Sequence, residues 1–174
     1  MASFQQKKNC NEYLCPSTEK KMEENKKDGR YSRIYEQLAT LVKKSNNTQA
    51  RMATIVAVLH HKMEYFFWTG FYLLDNGEMT VNIYQGPVAC QILEKNKGVC
   101  WAAFNRKETI VVEDVHQFPG HIACDSRSNS EIVVPFKNRQ GEIIGVLDID
   151  SKDKASFSEV DARWLEKILE LVYS

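Results

Sequence analysis

The sequence has no charge of either sign to spare. Lysine plus arginine and aspartate plus glutamate both number 23 in 174 residues, so the formal net charge is zero. That balance argues against a nucleic-acid binder, which needs a basic excess to displace phosphate counterions. It gives no hold on an anionic membrane surface either. No apolar run approaches the roughly 20 residues that span a bilayer, and the N-terminus lacks a signal-peptide hydrophobic core. The expectation is a cytoplasmic protein with no membrane partner. No CxxC pair occurs, and the gaps between Cys90, Cys100 and Cys124 match no common zinc spacing, so no structural metal is expected. Internal repeats are absent too. What remains is a globular composition, 43% hydrophobic and 26% charged, at the length of one domain. Five cysteines cannot all pair within the chain. In a reducing compartment such thiols serve catalysis or redox sensing more often than structure.

The chain divides at about Gly29. Residues 1–29 are polar and lysine-rich, with acidic residues interspersed, and read as a flexible extension carrying Cys10 and Cys15 as incidental thiols. Residues 30–174 read as a single domain. Tyr31, Ile34, Leu38, Leu41 and Val42 fall on one helical face, and Met52, Ile55, Val56, Leu59 and Met63 on another. An aromatic strand over 65–74 meets the hairpin signal Asn76-Gly77, after which Met79, Val81 and Ile83 alternate with polar residues. A short helix over 99–104, a short strand over 109–112 and paired strands at 132–136 and 143–149 follow. Ser158 and Asp161 are placed as a capping box for a final helix with Val160, Trp164, Leu165, Ile168, Leu171 and Val172 inward. Terminal helices around hairpins predict an α+β domain on an antiparallel sheet.

Residues 113–130 form a loop longer than a compact domain tolerates without a use for it. Cys124 lies in it, between His121 and Asp125, where the backbone can present a thiol to a ligand. Cys90 follows Gly86-Pro87, which suggests a loop able to move, whereas Cys100 sits near a helix start. Asp148 and Asp150 are two apart on a strand, so both point to one face. Aspartate is disfavoured in strand interiors, and Glu131 opens the strand expected beside them. Three carboxyls on one concave face can bind an ammonium and, where one is protonated, donate to an oxygen. Segment 113–153 holds eight acidic residues against four basic ones. Such surroundings raise a thiol pKa, so thiolate chemistry there needs a helix N-terminus, His116 or His121, or proton transfer to substrate. Trp68, next to Thr69-Gly70, offers an apolar wall; His116 and His121 read as loop hydrogen-bonding groups.

The segments GPVAC (86–90), NKGVC (96–100), PGHIACD (119–125), SEIVVP (130–135) and GVLDIDS (145–151) closely resemble the free methionine-(R)-sulfoxide reductases, and 30–172 as a whole resembles a GAF domain. The departure from that pattern is Trp101, where such sequences usually carry a small residue. The resemblance implies a GAF-like sheet of about six strands flanked by N- and C-terminal helices. It also implies reduction of free methionine-R-sulfoxide through sulfenic acid and an intramolecular disulfide, with thioredoxin as reductant, no bound cofactor and a homodimer. It gives Cys124 the attack, with Cys90 or Cys100 resolving, and places Glu131, Asp148 and Asp150 in the acidic cluster. First attack by Cys100 stays open, because a helix start can lower a thiol pKa. A ligand-binding GAF module without catalysis, or a thiol redox sensor, are the readings from other classes.

Overall fold

The structure, a computed structural model, describes residues 16–121 and 124–174. Helices α1 (Pro16–Leu41) and α2 (Thr48–Lys62) come first. Strands β1 (Trp68–Asp75), β2 (Glu78–Gln85) and β3 (Ile92–Leu93) follow, then helix α3 (Gly98–Arg106). Strands β4 (Ile110–Val112), β5 (Ser130–Lys137) and β6 (Ile143–Ser151) and helix α4 (Glu159–Glu170) complete the fold. The six strands form one antiparallel sheet in the order β3-β2-β1-β6-β5-β4. Asn76 and Gly77 turn the β1–β2 hairpin with φ of 48° and 85°, a left-handed pair that glycine and asparagine adopt at least cost.

Because side chains alternate across a strand, each central strand serves two layers. Phe71, Ile132, Val134, Phe136, Leu147 and Ile149 face α1, α2 and α4, and with Tyr31, Leu38, Ile55, Leu59, Leu165 and Ile168 they make the main core. The residues between them face the other way. There Tyr72, Val133 and Val146 pack under α3 through Val99, Trp101 and Ala103. This second layer is thinner, and it leaves room for a cavity. The Ser158–Asp161 capping box opens α4 as the sequence suggests.

The N-terminal boundary moves. Helix α1 begins at Pro16 and runs through Gly29 without a break, inside the stretch read as a flexible extension. Periodicity misses this half because polar contacts hold it. Lys27 Nζ donates to Asp161 Oδ2 (2.9 Å) and Ser156 O (2.6 Å), while Asp28 Oδ1 accepts from Trp164 Nε1 (2.8 Å). Asp161, fully buried, also accepts from Tyr31 and Tyr65. Residues 1–15, with Cys10 and Cys15, lie outside the described residues. Among the described residues no helix is long and apolar enough to cross a membrane.

Candidate active site

A cavity of about 200 Å³ opens on the α3 face of the sheet. Strand register builds its floor. Trp68 pairs with Asp150, which pairs on its other side with Glu131; one step along, Gly70 pairs with Asp148. The side chains of Trp68, Asp150, Glu131 and Asp148 project to the same face, so residues distant in sequence become neighbours in one patch. A Cβ at Gly70 would meet the Trp68 ring at 2.5 Å, which shows that the indole lies across this glycine. Tyr72 and Tyr84 stack on the indole, with centroids 5.6 and 5.4 Å away. The result is a rigid aromatic wall.

The three cysteines take two different positions. Cys90 and Cys124 are joined as a disulfide with Cα atoms 5.5 Å apart, on the cavity lining. The Cys90 carbonyl accepts from Tyr72 Oη (3.2 Å), which ties this loop to the aromatic wall. Cys124 is exposed; the next residue, Asp125, is gripped by Arg127 through Nε (2.9 Å) and Nη2 (2.7 Å). That fork holds the Asp125 carboxyl down at about 2. Cys100 is a buried free thiol. Burial, and after it the Asp148 and Glu131 carboxyls, push its pKa well above the ordinary thiol value. The helix start does not lower it, since α3 dipole stabilisation is outweighed by loss of solvent beside acids. Cys100 therefore stands in the acidic cluster beside Asp148 as a thiol that resists losing its proton.

The acidic excess of 113–153 is sorted by the fold. Asp114 pairs with Lys154 and Asp125 with Arg127 outside, whereas Glu131, Asp148 and Asp150 face the cavity without a cation partner among the described residues. Glu131 and Asp148 are buried, and Asp150 is half-buried. Burial raises Asp148 to about 7, partly offset by hydrogen bonds from Cys100 and Glu131. Glu131 and Asp150 are likewise raised, first by burial and then by neighbouring carboxyls. With Asp148 at about 7, the cluster can supply a proton near neutral pH, as a general acid requires. The ligating atoms of Cys100, Glu131 and Asp148 lie within 4.8 Å of one another, a spacing that would also suit a divalent cation.

Two placements near the cavity escape sequence reading. Trp101, the departure from the resembled pattern, is buried with Nε1 donating to Leu93 O (3.4 Å), so it fixes α3 to β3. Of the two loop histidines, His116 does hydrogen-bond, to Asn129 (3.0 Å). His121 Nε2 instead lines the cavity, buried and without a partner among the described residues. Trp68 Nε1 and Asp148 Oδ1 share that condition; strand alternation marks Asp148, but nothing local marks the inward turn of His121.

A six-stranded antiparallel sheet with a ligand-sized cavity under a short helix defines a GAF-domain protein, and residues 49–172 match that family, described as "GAF domain". "GAF domain-containing protein A" of Dictyostelium discoideum is 44% identical over 147 residues, 84% of this chain and 92% of that one. "Free methionine-R-sulfoxide reductase" of Saccharomyces cerevisiae is 46% identical over 108 residues, 60% of each chain. The solved free methionine-R-sulfoxide reductase of Neisseria meningitidis, in complex with its substrate, superposes with a TM-score of 0.77 at 39% identity, covering 82% of this chain and 86% of that one. The chain belongs to the free methionine-R-sulfoxide reductase family of GAF-domain proteins.

Proposed function

We propose that this chain reduces free L-methionine (R)-sulfoxide to methionine, with Cys124 as nucleophile and Cys90 as the resolving thiol. The observation that carries this reading is the Cys90–Cys124 disulfide on the wall of a cavity floored by Trp68, Glu131, Asp148 and Asp150. In the reduced enzyme the Cys124 thiolate attacks the sulfoxide sulfur while a proton from the Glu131–Asp148 pair goes to the sulfoxide oxygen. Oxygen passes to Cys124 as sulfenic acid and methionine leaves. The Cys90 thiol then attacks that sulfur and expels water, giving the disulfide. An external dithiol, thioredoxin in this reading, supplies two electrons and two protons to reopen it. The sum is sulfoxide plus dithiol to thioether, disulfide and water.

Trp68 receives the S-methyl end against its ring face, and Asp150, the most exposed of the three acids, takes the ammonium. Cys100 donates to Asp148 and steadies the acid pair. A homodimer through the terminal helices and a cytoplasmic setting belong to the same reading. The test is methionine formation from separated R and S sulfoxides, free and N-acetylated, with thioredoxin, its reductase and NADPH. Turnover confined to the free R isomer is expected. Equal turnover of the S isomer or of the blocked substrate refutes the reading.

A further inference from the structure

The cavity's charge is lopsided. Its floor carries three carboxyls, and among the described residues the cations near its lining face acids at the surface: Lys97 pairs with Glu94 and Arg127 with Asp125. An amino-acid substrate brings an ammonium that such a floor suits, and a carboxylate that it repels. A donor for that carboxylate has to come from somewhere else on the lining.

Two buried ring nitrogens on the lining lack a partner among the described residues, Trp68 Nε1 and His121 Nε2; Trp68 already serves the S-methyl end, which leaves His121. It is buried, lines the cavity and has no hydrogen-bond partner among the described residues. A turn in which His121 N–H donates to Phe118 O (3.1 Å), with Gly120 at a φ of 72°, sets where the ring leaves the loop. The His116 ring stands edge-on to it, centroids 6.3 Å apart, and is itself engaged by Asn129. Burial, then His116, lowers the His121 pKa, so the ring is a neutral imidazole near pH 7. In the Nε2–H tautomer it is a donor with no competing acceptor. We propose that His121 Nε2 donates to the α-carboxylate of the bound amino acid and so makes the site specific for a substrate with a free carboxylate. The proposal rests on the reductase reading for the identity of the ligand. It assigns His121 to binding and not to proton transfer at sulfur.

Binding separates the two claims. L-methionine, the product, and 3-(methylthio)propylamine, which keeps the thioether and the amine but lacks the carboxylate, are titrated calorimetrically into wild type, His121→Ala and His121→Gln. Hydrogen bonds to charged groups predict that wild type prefers methionine at least about tenfold. His121→Ala should lose that preference by weakening methionine alone, and His121→Gln, which restores an amide donor, should recover part of it. Equal weakening toward both ligands, or an unchanged preference in His121→Ala, overturns the proposal. Turnover of methionine-R-sulfoxide is measured on the same preparations. A wild type that binds methionine through His121 yet reduces no sulfoxide would sink the reductase reading and leave the carboxylate contact standing.

Discussion

Asp148→Asn should make the protein more stable relative to wild type at pH 8 than at pH 4, while removing activity. Asp148 is buried and raised from an ordinary 3.8 to about 7. At about 1.4 kcal/mol per tenfold, keeping it ionised in the fold costs about 4 kcal/mol. The sign follows from proton linkage. Between about pH 4 and pH 7 the folded chain holds this proton and the unfolded chain does not, so stability falls as pH rises across that window. Asparagine has nearly the same shape and no charge, so the variant lacks that slope. Urea unfolding of wild type and variant at pH 4, 6 and 8 measures it. A pH-independent effect of the amide cancels in the comparison, and the relative gain from pH 4 to pH 8 should approach about 4 kcal/mol. Burial and then the Asp148 carboxyl raise Glu131, so Glu131→Gln is the control for a charge carried by the pair. The same ΔΔG at every pH would refute the claim that a buried acid holds a proton here, and with it the proton source of the proposed mechanism.

The remaining predictions concern thiols and the aromatic wall. In single turnover, Cys124→Ser should release no methionine, whereas Cys90→Ser should release about one per enzyme and retain a sulfenic acid trappable by dimedone. A burst from Cys124→Ser that is absent in Cys100→Ser would transfer the attack to Cys100. Gly70→Ala should displace the Trp68 indole, because the new methyl meets both that ring and Tyr84; overpacking of this kind costs about 1–3 kcal/mol. Near-ultraviolet circular dichroism and the sulfoxide KM should both change, and no change in either would remove Trp68 from the binding wall.

Much of this protein is written locally. The Asn76-Gly77 turn, the Ser158–Asp161 box and the inward faces of α2 and α4 depend on residues a few positions apart, which is the range over which backbone preference and periodicity act. The reactive residue types and their sequence contexts are also local, and the resemblance to the sulfoxide reductases is carried by short segments such as GPVAC and PGHIACD. What tertiary structure alone decided is which of those residues meet. Cys90, 34 positions from Cys124, became its partner because the loop after β2 runs past the 113–130 loop. Cys100, which lies nearer to Cys124 in sequence, is held instead in the first turn of α3, buried beside the acidic cluster. The Trp68–Asp150–Glu131 row is a consequence of register across three strands. Whether a helix start or a carboxyl governs the Cys100 thiol was settled by burial, a property of the whole packing that no short window of sequence contains. The upstream half of α1 and the inward turn of His121 are hidden for the same reason: each depends on polar contacts or cavity walls supplied by segments far along the chain.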